Sequence, residues 1–119
     1  MVGEDGAEGR GLSMVRYMGS RSRPDAVLVT VLRDGRMNVL DPLASQRVWN
    51  HSPDGFNWGY GGSGPAQLAL AILLDYTKDK EFVGRHYQEF KRQVVAGFGD
   101  TWELSGEQIE QWIEQWRQD

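Results

Sequence analysis

Apolar and polar positions alternate along the first third of the chain. MVRYM sets Val15 and Tyr17 against Met14, Arg16 and Met18, which predicts a short strand. AVLVTVL, residues 26–32, is rich in β-branched side chains and bounded by turn formers, and predicts a second strand. Asp34-Gly35 marks a hairpin, with Arg36 to Leu40 as its returning arm. The Arg/Ser/Pro segment 19–25 is expected to connect the first two strands, and Asp41-Pro42 to close a three-stranded antiparallel meander.

After a long gap the period becomes helical. Pro65 to about Tyr76 carries Leu68, Leu70, Ile72, Leu73 and Leu74 with interleaved alanines, so apolar side chains cover every face. Such a helix belongs at the centre of a fold. Gly64 suits its cap, since a residue before proline avoids the helical region, and Pro65 suits its first position. A second helix is expected from about Asp79 to Ala96, with Phe82, His86 or Tyr87, Phe90 and Val94 inward and Gly97 as its end. Ser105 and Gln108 form a capping-box pattern for a third helix. There Ile109, Trp112, Ile113 and Trp116 make the apolar stripe. The expected class is α+β: a small antiparallel sheet of about three strands against a buried central helix and two further helices.

Two stretches lack a period. Residues 1–13 (MVGEDGAEGRGLS) are expected to be a disordered extension, with a single domain over 14–119 and either Met1 or Met14 as the natural start. Residues 43–64 are dense in turn formers. An irregular segment this long inside a compact domain is often functional.

The length of 119 residues fits one domain. The net charge of −4 gives no overall nucleic-acid signature, but it is unevenly spread. Residues 14–49 hold six Arg against three Asp, a net of +3; residues 93–119 hold six acids against one Arg, a net of −5. The absence of cysteine removes thiol chemistry and Cys-based metal sites. The two histidines and scattered acids make no metal-ligand pattern. No signal peptide is legible, and the apolar run Leu68 to Leu74 is short for a membrane span. A soluble cytoplasmic protein without cofactor or metal is expected.

The candidate chemistry sits in FNWGYGGSGP, residues 56–65. Gly59, Gly61 and Gly64 spell G-x-G-x-x-G, but no crossover unit follows and the acids at the right distance begin a helix. A P-loop fails because Pro65-Ala66 stands where Lys and Ser/Thr are needed, and G-x-S-x-G fails at Pro65. What stands is an anion at the helix start, bound by Gly61, Gly62, Ser63 and Gly64, with Trp58 and Tyr60 stacking on a planar group and His51 nearby. Ahead of it stands the structural reading, in which the glycines permit close backbone approach and the aromatics close the core. A hydrolytic pair of His51 and Ser63 comes last, with no catalytic residue assigned. Arg16, Arg33, Arg36 and Arg47 are candidate phosphate contacts, and Trp112 and Trp116 a candidate dimer or partner interface.

The run NHSPDGFNWGYGGSGPAQLALAILLDY resembles the signature of an uncharacterised family of short prokaryotic proteins. Phe90-Lys91, Val94-Val95 and the stretch from Trp102 to Ser105 resemble its ending, so the similarity covers about residues 14–115. The family's members resemble cargo of bacteria, archaea, plasmids and phages, and no activity, cofactor or catalytic residue is implied. With small size and an acidic end, this points to a non-enzymatic binding or regulatory protein of a mobile element, such as an inhibitor of a host defence system. Its expected partner is another protein. The alternatives are a small anionic ligand or nucleotide at the Gly59–Gly64 loop, nucleic acid on the arginines, and a homodimer; no membrane contact is expected.

Overall fold

The computed structural model describes residues 14–117. The expected extension over residues 1–13 lies outside the described residues. The class is α+β as expected, but the antiparallel sheet has four strands, in the order β3-β2-β1-β4. Strand β1 is Arg16–Arg23, β2 is Ala26–Arg33, β3 is Arg36–Val39 and β4 is Thr101–Ser105. Helix α1 is Leu43–Val48, α2 is Ser63–Thr77, α3 is Lys80–Gln93 and α4 is Gly106–Glu114.

The extra strand corrects two expectations at once. Residues 19–23 are strand rather than connection, and Thr101–Ser105 pairs with Arg16–Ser20 of the same strand, with Gly19 opposite Trp102 and Tyr17 opposite Leu104. Gly19 looks like a breaker but serves packing. A Cβ on it would stand 2.2 Å from the Trp102 indole nitrogen, so only glycine lets that ring lie over β1. The TWELS sequence of β4 alternates exposed and buried residues, with Trp102 and Leu104 facing the core.

Helix α2 runs through the core. Every residue from Gly64 to Leu73 is buried. Leu68, Leu70, Ile72 and Leu73 are fully enclosed, each contributing about 1.5–3 kcal/mol of gross apolar burial. The helix begins earlier than expected: Gly62 is the cap, Gly64 is helical, and Pro65 occupies the third position. Proline is tolerated there because the N–H groups of a first turn have no partner within the helix. Lys78, with φ of 57°, closes α2 by giving its N–H to the Leu74 carbonyl, and Asp79 caps α3 by accepting the Phe82 N–H. Two helices therefore meet across two residues.

Val83, Tyr87 and Phe90 form the buried row of α3. Phe82, His86 and Val94, expected in that row, are half-buried beside it. The spacing of Val83, Tyr87 and Phe90, four then three residues, fits one helix face better than a row begun at Phe82. The helix stops at Gln93, ahead of a single 3-10 turn at Val95–Gly97. The capping box at Ser105 and Gln108 forms as expected, with bonds of 2.9 and 3.0 Å.

Candidate functional site

The segment before α2 is fixed from inside the core. Gln67, wholly buried, accepts the backbone N–H groups of His51 and Ser52 at 2.8 and 3.0 Å. Its amide nitrogen donates to Ser45 Oγ and to the Trp49 carbonyl, at 2.9 and 3.1 Å. One side chain thereby ties α1 and the Asn-His-Ser stretch to the central helix. His51 then shares a 2.6 Å hydrogen bond with the Tyr87 hydroxyl and stacks on Trp49. Its pKa is lowered, first by burial and then by the charge of Lys91. Its Nε2 is thus engaged with a phenol. The cavity that Ser63 lines includes Ser52 and Asp54 but not His51.

The glycine loop is held by Arg21, whose importance the sequence did not signal beyond its membership of a basic stretch. Its guanidinium donates to Asn57 Oδ1 at 2.6 Å, to the Trp58 carbonyl at 2.8 Å and to Asp100. It also lies 5.2 Å above the Trp58 ring. Trp58 is fully enclosed, meets Trp102 edge-on, and donates its indole N–H to the Gly99 carbonyl at 2.7 Å. No face of this ring is left for a ligand, which corrects its candidacy as a stacking platform. Tyr60 remains half exposed, its ring packed over Gly62.

The glycines divide by what surrounds them. A Cβ on Gly64 would meet the Asn57 Cβ at 2.7 Å, and one on Gly59 would meet the Phe98 carbonyl at 3.0 Å on a backbone already at φ 86°. Gly61 faces open space. Gly61 and Ser63 are exposed, Gly62 is half-buried and Gly64 is buried. The cavity at the start of α2 is lined by Asp25 and Asp54 and by no cation. Two carboxylates beside a helix N-terminus oppose the anion that the helix alone would attract.

The four candidate arginines are not gathered on one surface. Arg16 lies on the outer face of the sheet, paired with Glu103 at 3.2 Å. Arg36 is exposed at the hairpin. Arg33 points to the helix side and donates to Asp75 at 2.6 Å, and Arg47 stands on α1. Those last two line one groove of about 610 Å³ together with Lys78 and Lys80. Val31, Leu40, Ala71 and Leu74 contribute its apolar lining. The lysines were legible only as ordinary residues of a helix joint. Asp75, one of two acids that line the groove with Asp41, also accepts the Tyr17 hydroxyl at 2.5 Å. Burial, and secondarily Asp75, pushes the Tyr17 pKa well above its ordinary range.

Trp112 packs edge-on against Phe90 and donates to Gln93, so it belongs to the fold. Trp116 is 38% exposed and stacks on His86. Among the described residues, no cluster of His, Asp or Glu has the makings of a metal site, and no helix is long and apolar enough to cross a membrane.

A family model described as a family of unknown function, DUF6166, matches residues 17–115, and the chain belongs to that family. No curated protein and no solved structure matches the chain.

Proposed function

We propose that this member of an unknown-function family is a non-enzymatic binding protein that works by contact with another protein. The outer face of the sheet supports this most directly. Tyr17, Val29, Val31, Trp102 and Leu104 turn inward to the helices, and the alternate positions lie on the opposite face. On its β2–β3 half that face presents Leu28, Met37 and Val39, which are 50%, 57% and 64% exposed, with half-buried Leu32 opposite Met37 and Thr30 opposite Val39. Contiguous exposed apolar side chains rimmed by polar ones are the usual mark of a protein-contact surface.

The finer reading is an inhibitor of a host defence system, carried by a mobile element and acting in the cytoplasm. It draws on the family resemblance in the central motif and on the small size of the chain. The test compares wild type with a Leu28→Glu, Met37→Glu variant in pull-downs from a related host and in phage-infection assays. A partner held by wild type and released by the variant, with a matching change in infection, is expected. Recovery of the same proteins by both chains, with infection unaffected by either, would overturn the proposal.

A further inference from the structure

Strand β3 ends the sheet, and its register shows which backbone groups are unpaired. Arg36 pairs with Arg33, Asn38 with Val31, and the Leu40 N–H donates to the Val29 carbonyl at 2.9 Å. The backbone groups of Arg36, Asn38 and Leu40 therefore face β2. By alternation, the N–H and C=O groups of Met37 and Val39 face the free edge. All four residues of β3 are exposed, and no strand pairs with this edge among the described residues.

The basic groove opens along that edge. Asn38, Val39 and Leu40 form one wall, and residues of α1 and of the C-terminal part of α2 form the other. Its apolar floor lies between cations. Arg33 is engaged by Asp75, whereas Arg47 and Lys80 form no ion pair among the described residues. An unpaired strand edge, an apolar floor and free cations call for three features in one occupant: an extended main chain, apolar side chains and carboxylates.

We propose that an extended acidic segment of a partner protein adds to β3 as a fifth strand. Its main chain bonds Met37 and Val39, while its inward side chains set apolar groups on Leu40, Ala71 and Leu74 and carboxylates near Arg47 and Lys80. Strand addition draws affinity from main-chain bonds and specificity from alternate side chains. This mode rests on the protein-contact function proposed above and gives that partner a chemistry. A second copy of this chain fits less well. Pairing β3 with β3 across a twofold would set the basic grooves of both copies side by side on one face of the joined sheet, and like charges brought together repel. The chain's own acidic end is helical at Glu107, Glu110 and Glu114, so it offers no strand.

The probe is a short blocked peptide of alternating glutamate and valine, titrated into the isotope-labelled protein. The Met37 and Val39 amide signals are expected to shift and their hydrogen exchange to slow, with binding that weakens as salt is added. The Arg47→Glu, Lys80→Glu variant should bind roughly tenfold more weakly. Val39→Pro removes an N–H that no strand of this sheet uses, so it should keep its fold by circular dichroism yet lose the peptide. If Val39→Pro does not fold, the exchange protection at Met37 and Val39 in wild type decides alone. Equal binding of a lysine–valine peptide overturns the proposal. So do shifts confined to sites away from β3, a peptide-independent β3–β3 dimer in sedimentation, or displacement of the peptide by inorganic phosphate. A host partner that is lost with Leu28→Glu but leaves Met37 and Val39 unprotected would overturn strand addition and leave the protein-contact function standing.

Discussion

The side-chain oxygen of Gln67 accepts the backbone N–H of His51 at 2.8 Å, so a buried amide on the central helix holds the loop that precedes it. The same amide binds Ser52, Ser45 and Trp49. Its two donors and both acceptor sites are thus filled. Gln67→Leu nearly conserves volume but leaves the part-buried His51 and Ser52 N–H groups and the Trp49 carbonyl without this partner, while Ser45 Oγ keeps its bond to the Pro42 carbonyl. An orphaned buried group costs about 1–3 kcal/mol. A net loss of about 2–4 kcal/mol is expected as a lower urea midpoint with an unchanged slope, together with faster amide exchange at His51 and Ser52. A shift below about 0.5 kcal/mol would mean that the loop is held by something else.

The glycines of the loop before α2 should not respond alike. Gly64→Ala drives a methyl group against Asn57 and is expected to cost about 1–3 kcal/mol. Gly61→Ala enters open space on a backbone with no positive φ and should stay within about 0.5 kcal/mol. Gly19→Ala should behave like Gly64→Ala, because the Trp102 ring would have to move. Thermal melts of the three variants check the order. If Gly61→Ala were the most damaging, the loop would not be the packing device described.

Legibility in the sequence followed the strength of local signals. Helix α2 could be read because its apolar residues cover every face, and α4 because Ser105 and Gln108 make a reciprocal cap. Strand β4 was missed although Trp102 and Leu104 alternate cleanly with exposed residues, since five residues before a cap look like a run-in to the helix. The segment from Gly19 reads as a connection because the ring that requires glycine at 19 lies more than eighty residues further along the chain. Helix α1, six residues with no side-chain cap, hid among turn formers. Of the candidate site, the contents of the glycine loop were visible and their roles were not. Whether Trp58 faces a ligand or the core depends on Arg21 and Trp102, which reach it only through tertiary packing. The basic groove draws its cations from β2, α1 and the joint between α2 and α3, so no contiguous stretch announces it.

Tyr17, Arg33 and Asp75 join the sheet to the end of α2 through two short bonds on one carboxylate oxygen. Tyr17→Phe removes a buried donor while Arg33 still serves Asp75, so a loss of about 1–2 kcal/mol is expected. Asp75→Asn weakens both bonds, and the double variant should lose less than the sum of the single ones, because one acceptor is shared. Urea melts of the four proteins measure that coupling. Strict additivity would show that the two bonds are energetically independent.

Acidification should weaken the fold in two stages, and the signs follow from the direction of each pKa shift. Both histidines sit below their ordinary value of 6.5, through burial first and then Lys91 for His51 and Arg85 for His86. The unfolded chain therefore takes up these protons before the native one does. Their contribution is fully present above pH 6.5 and is lost as pH falls toward the native values. Glu110 acts at lower pH. Burial works to raise its pKa, but hydrogen bonds from Tyr76 and Arg117 outweigh it, and the net position is below the ordinary 4.5. Its contribution is present above that value and disappears as pH falls through the native one. Urea midpoints measured across pH should thus fall first below about 6.5 and again below about 4.5. His51→Gln with His86→Gln should flatten the first decline and leave the second, whereas Glu110→Gln should soften only the second. A first decline that persists in the double histidine variant would place its origin elsewhere in the molecule.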